Sequence, residues 1–124
     1  LRSPRGPRLT LTVLEQVLID PDRADEALRV AQEALSNALR HARASEVELT
    51  LDAAEGTVVL TIADDGVGHR STSDQEGGGV GLRSMRERAD RLGGSLDLHA
   101  SEEGGTLVTL TFPAEPILPN RSAP

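Results

Sequence analysis

Two hydrophobic periods alternate along this chain, and the places where one gives way to the other mark out its elements. Leu9 to Ile19 is rich in apolar and β-branched residues and predicts a first strand. Asp20-Pro21 then supplies a helix start, Asp as cap and Pro at the first helical position, and a three-to-four spacing runs on to about Ala42. Leu28, Ala31, Leu35, Ala38 and Ala42 form the stripe expected to face the core. Val47, Leu49 and Leu51 alternate with Glu46, Glu48, Thr50 and Asp52, as in a strand with one face in water. After the turn Ala54-Glu55-Gly56, the run from Thr57 to Ala63 is apolar on both faces, so a strand buried on both sides is expected there.

A polar tract from His69 to Glu76 and the glycines 77–79 and 81 interrupt this pattern, before Leu82, Met85, Ala89 and Leu92 restore helical spacing. Leu96, Leu98 and Ala100 pair most simply with Val108, Leu110 and Phe112 as a hairpin. Helices between groups of antiparallel strands predict a two-layer α/β sandwich, with helices on one sheet face. Residues 1–8 and 114–124 hold most of the prolines and are expected to be linker and tail around one domain over 9–113.

Composition narrows the function. With 124 residues and 37% hydrophobic content the chain suits a single core. It has no cysteine, which excludes disulfides and thiolate metal sites. The three histidines, His41, His69 and His99, lack ligand spacing. A net charge of −7 and a lone aromatic residue, Phe112, argue against a nucleic-acid partner. No apolar run approaches membrane-spanning length and Leu1 to Arg8 lacks a signal-peptide core, so a cytoplasmic domain without membrane contact is expected. All 13 basic residues are arginine, so neither a Gly-Lys-Ser/Thr phosphate loop nor a kinase with a strand lysine can be built.

Three short stretches carry candidate chemistry. Glu33, Asn37 and His41 lie about 40° apart in steps around the first helix, with Arg40 flanking them, on a face separate from the apolar stripe. Asp64 stands where a strand ends, and Gly66 and Gly68 allow a tight turn and close approach of a flat ligand. Gly79-Val80-Gly81-Leu82 leads into a helix, whose N-terminal amides suit phosphate. Singly, each has an ordinary explanation: a solvated helix face, a turn, a linker.

In this order, from about Ala24 to Pro113, they resemble the ATP-binding domain of the GHKL superfamily, which includes sensor histidine kinases, DNA gyrase, a heat-shock chaperone and a mismatch-repair ATPase. Glu33-x-x-x-Asn37 is similar to its asparagine box, Asp64-x-Gly66-x-Gly68 to its first glycine box, and Gly79-x-Gly81-Leu82 to its second. Gly105-Thr106 is similar to its last box. The stretches Gln32 to Ala42 and Gly81 to Gly94, with Met85-Arg86-Glu87-Arg88, resemble the nitrate-sensor and DesK-type histidine kinases in particular.

The resemblance implies the Bergerat fold, a mixed and mainly antiparallel sheet with helices on one face. It implies ATP and Mg²⁺ as ligands, with Asn37 coordinating the metal through its amide oxygen and Glu33 acting through a metal-bound water. Asp64 would accept a hydrogen bond from the adenine amine, which selects ATP over GTP. Arg40 and His41 would steady phosphates, and Gly66, Gly68, Gly79, Val80, Gly81, Leu82 and Thr106 would line the nucleotide. Arginines such as Arg83 and Arg86 are further candidates for charge neutralisation, and Val80, Leu82 and Ile62 for walls against adenine. The phosphoryl group would pass to a histidine on a separate dimerisation domain not in this chain, and then to a response regulator. An anti-sigma-factor serine kinase and a non-catalytic ATP-sensing module share the same boxes and remain open.

Overall fold

A computed structural model describes residues 6–41, 43–66, 81–100 and 104–115. Gly68, Gly79, Val80 and the polar tract 69–76 lie outside the described residues, as does the side chain of His41.

Five strands form one sheet: β1 (Arg8–Val13), β2 (Glu46–Ala54), β3 (Thr57–Asp64), β4 (Ser95–Ala100) and β5 (Thr106–Pro113), in the order β1-β2-β3-β5-β4. β1 runs parallel to β2 and the other neighbours are antiparallel. Two helices, α1 (Pro21–Ser36) and α2 (Leu82–Arg91), lie on one face, and a π-helical turn over Asn37–His41 extends α1. This is the mixed two-layer architecture expected.

The register sorts the side chains. Val58, Leu60 and Ile62 stand opposite Phe112, Leu110 and Val108, and Leu96 joins Leu110. These residues are all buried under the helices. The opposite face carries Thr50, Thr57, Thr61, Thr109 and Thr111, and Val59 and Ala63 are only half-buried there. The expectation that β3 is buried on both sides is therefore corrected, since threonine methyls and strand neighbours give partial cover without a second layer of helices.

Two other expectations change. The first strand ends at Val13 rather than Ile19: alternation fails after Leu14, where Val17 and Ile19 turn in to pack on the core and Leu18 is 92% exposed. Along α1 and the turn that extends it, Ala31, Leu35 and Ala38 meet the core as expected, Ala27, Val30 and Ala34 join them, and Leu28 is exposed instead. Small residues let this helix lie close against the sheet.

Arg23 fixes the first turn of α1. Its guanidinium donates to the carbonyls of Pro113 (3.0 Å) and Leu92, and lies 5.9 Å from the Phe112 ring centroid. One turn on, Glu26 receives Arg88 and Arg91, each at 2.9 Å, which clamps α1 to α2. These arginines hold the Glu26 carboxyl below its usual range, the Arg91 hydrogen bond contributing most and partial burial opposing it.

Candidate functional site

The described candidates Glu33, Asn37, Asp64, Gly66, Gly81, Leu82 and Thr106 lie where α1 and β3 finish and α2 and β5 begin. Asp64 is the last residue of β3 and Thr106 the first of β5, and the ladder sets them directly opposite. Such a pair places its side chains within roughly 5 Å on one face. Thr106 is buried, and its Oγ1 has no hydrogen-bond partner among the described residues. Half-buried Asp64 accepts the Gly66 N–H at 2.8 Å, which draws the chain into its turn. A Cβ on Gly105 would strike the Asp64 carbonyl, so this approach requires glycine. At these strand ends opens a cavity of about 470 Å³, lined by Asp64, Asp65, Gly105 and Thr106 and, from the sheet face turned away from the helices, by Ala63, His99 and Leu107; no described residue of α1 or α2 lines it.

A second group lies between the helices. Glu33, half-buried in the last turn of α1, points at Gly81, where a Cβ would fall within the Glu33 carboxylate. Gly81 caps α2 with φ +79°, a left-handed conformation natural to glycine, and no side chain caps the helix. One turn beyond Glu33 stands half-buried Asn37, its Oδ1 shielded from water. Asn37 also begins the π-helical turn, a wider coil frequent at functional sites. Arg40 is exposed within that turn, and Leu82, the first residue of α2, packs partly against the core.

The start of β2 is tied to the end of β3 through Asp65, a residue whose role the sequence did not reveal. Its Oδ1 accepts the backbone N–H groups of Ser45 (2.8 Å) and Glu46 (2.9 Å), and its own N–H donates to the Glu46 carbonyl at 3.2 Å. These bonds, that from Glu46 foremost, hold the Asp65 carboxyl below its ordinary range against a smaller effect of burial. Ser45 in turn accepts Arg8 N–H at 2.8 Å, so Asp65 ties the mouth of the cavity to β1.

Arg86 donates to the Leu96 carbonyl at 3.2 Å and braces α2 on β4. Ile62, 1% exposed, lies in the core. Among the described residues no three His, Asp or Glu side chains gather as a metal cluster. The oxygens of Asn37 and Glu33 fit a hard cation that keeps most of its waters and takes few protein ligands.

Known proteins resemble this chain in sequence and in fold. Residues 22–116 match the family described as histidine kinase-, DNA gyrase B-, and HSP90-like ATPase. The nitrate/nitrite sensor protein NarQ of Escherichia coli is 37% identical over 114 residues, 90% of this chain and 20% of that protein. The oxygen sensor histidine kinase NreB of Staphylococcus carnosus is 40% identical over 85 residues, 68% of this chain and 24% of that protein. The chain thus spans a fifth to a quarter of these relatives. Among solved structures, the blue-light activated histidine kinase of Erythrobacter litoralis superposes with a TM-score of 0.74 at 28% identity, covering 88% of this chain and 36% of that one. No helix among the described residues is long and apolar enough to cross a membrane. With its sequence matched across residues 22–116, this chain belongs to the histidine kinase-, DNA gyrase B- and HSP90-like ATPase family, as a domain homologous to the catalytic domains of nitrate-sensor-type histidine kinases.

Proposed function

We propose that this chain binds Mg–ATP and presents its γ-phosphoryl group to a histidine on a dimerisation domain outside the chain, as part of a sensor kinase that phosphorylates a response regulator. The observation that carries this reading is the facing pair Asp64 and Thr106 at the end of β3 and β5, with Glu33 laid against the N-terminus of α2.

Asp64 accepts the adenine amine, and the buried Thr106 hydroxyl supplies a second polar contact to the base edge. Guanine would set its carbonyl oxygen against the Asp64 carboxylate, leaving acceptor facing acceptor in a partly dry site. Gly66, Gly68, Gly79, Val80 and Leu82 let main chain and aliphatic surface approach the nucleotide. Asn37 would hold magnesium directly, with Glu33 doing so through a water. Magnesium bound there supplies charge neutralisation across the phosphates. Amides at Gly81 and the first turn of α2 receive phosphate oxygens, and Arg40 and His41 add a charge and a donor.

Transfer breaks the bond between the γ-phosphorus and the bridging oxygen and forms a phosphorus–nitrogen bond on imidazole, with ADP leaving. His41 ends the π-helical turn, His99 lies on β4 and His69 falls in the polar tract outside the described residues, and none resembles a phosphoacceptor, so the chain alone is not expected to label itself. Incubation with γ-labelled ATP tests this. No acid-labile phosphohistidine forms on the chain by itself, and label appears when a histidine-bearing dimerisation domain is joined to it; stoichiometric labelling of the isolated chain would contradict the reading. The matched relatives are sensor kinases, which favours this reading over an anti-sigma-factor kinase.

A further inference from the structure

β1 lies at an edge of the sheet and outside the residues matched to the ATPase family. Its bonds to β2 run from Arg8 N–H to the Ser45 carbonyl and from Leu14 N–H to the Leu51 carbonyl, both at 2.8 Å. Because strand residues alternate in direction, Arg8, Thr10, Thr12 and Leu14 face β2, while Leu9, Leu11 and Val13 turn their N–H and C=O groups to the open edge. The same three side chains continue the apolar row of Val47, Leu49 and Leu51, yet they are 56%, 67% and 50% exposed. Edge strands are ordinarily blunted by proline, lysine, a bulge or an inward charge. β4, the opposite edge, has Asp97 and His99; β1 reads Leu-Thr-Leu-Thr-Val after Arg8 and has no such device.

We propose that β1 is a self-association edge, on which a second copy of this chain pairs antiparallel about a two-fold axis through Leu11. In that register Leu11 meets Leu11 of the second copy, Leu9 meets Val13, and Thr10 meets Thr12. These pairs join like with like, so the apolar rows of the two sheets continue and the threonine faces align. All three outward residues exchange both main-chain bonds. A shift of the axis to Thr10 sets Val13 against Pro7, which has no N–H, and a shift to Thr12 sets Leu9 against Glu15 beyond the strand. An isologous contact of this kind closes on itself and stops at a dimer.

Charge and area set the strength. Arg8 falls opposite Leu14 of the second copy and Glu15 opposite Pro7, on the other face, so no ion pair closes the ribbon, and the −7 charge of each chain opposes association at long range. Pairing one six-residue strand covers on the order of 500 Å² per copy, short of the ~800 Å² of a standard interface, so the dissociation constant is expected in the tens of micromolar or weaker. Added salt should tighten the dimer by screening the net charge.

Sedimentation velocity on the chain, from micromolar to millimolar concentration, tests the proposal. The expected result is a shift from monomer to dimer that Leu11→Arg displaces by about tenfold or more in concentration and that Leu18→Arg, on the neighbouring loop, leaves unchanged. Leu11→Arg should bind ATP as the unaltered chain does, which separates this test from that of the nucleotide site. The chain has no cysteine, so single cysteines report register. Leu11→Cys should couple to itself through a short bis-thiol reagent, and Leu9→Cys to Val13→Cys but not to itself. A chain monomeric throughout, a dimer indifferent to Leu11→Arg, or coupling at Leu18→Cys in place of Leu11→Cys would overturn the assignment.

Discussion

Gly81→Ala asks whether Glu33 is held against the start of α2. Two costs are separable. An alanine at φ +79° sits in the left-handed region, at about 1 kcal/mol or slightly more. Its Cβ would also fall within the Glu33 carboxylate, so Glu33 must leave its rotamer, adding about 1 kcal/mol. The sum, about 2 kcal/mol, lowers the melting temperature by about 10 °C in a domain of this size. In a Glu33→Ala background the second cost disappears, and Gly81→Ala should then cost only about half as much. Thermal denaturation of the four proteins in this double-mutant cycle, followed by circular dichroism, reads the coupling. Equal penalties in the two backgrounds would refute the contact and remove the reason for assigning Glu33 to the site.

Asp64→Asn reverses a hydrogen-bond requirement at the adenine amine and should weaken ATP by about 10- to 100-fold while narrowing the gap to GTP, as measured by calorimetry. Asp65→Ala removes the acceptor for Ser45 and Glu46 N–H; at this exposed position the loss at neutral pH is about 0.5–1 kcal/mol by urea denaturation. Because folding depresses the Asp65 pKa, its stabilising effect is present above its ordinary value of 3.8 and fades as pH falls through the folded value, so the difference between Asp65→Ala and the unaltered chain should shrink in acid. Glu26→Gln releases Arg88 and Arg91 and should lower the melting temperature by a few degrees, less so in high salt; a salt-independent loss would mean that the ion pairs are not the cause.

Strict alternation made β2 through β5 legible in the sequence, because each strand has one face against the helices. β1 was overextended because Leu14, Val17, Leu18 and Ile19 keep the composition of a strand after the alternation has stopped. The core stripe of the first helix was right at Ala31, Leu35 and Ala38 but wrong at Leu28, which faces water, and it left out Ala27 and Ala34, which carry little hydrophobic signal. Asp64, Glu33 and Gly81 could be found because their spacing and residue types are chemically demanding. Asp65 could not, since it acts on the backbone of residues 20 positions away and any sequence there would supply the same N–H groups.

The central claim is that Asp64, Asn37 and Glu33 together hold a purine triphosphate through a divalent ion. Calorimetric titration with ATP and GTP, each with and without magnesium, tests base choice and metal dependence at once. Binding of ATP that requires magnesium and exceeds that of GTP is the result this account predicts. Equal binding of the two nucleotides, or binding of ATP indifferent to magnesium, would contradict it.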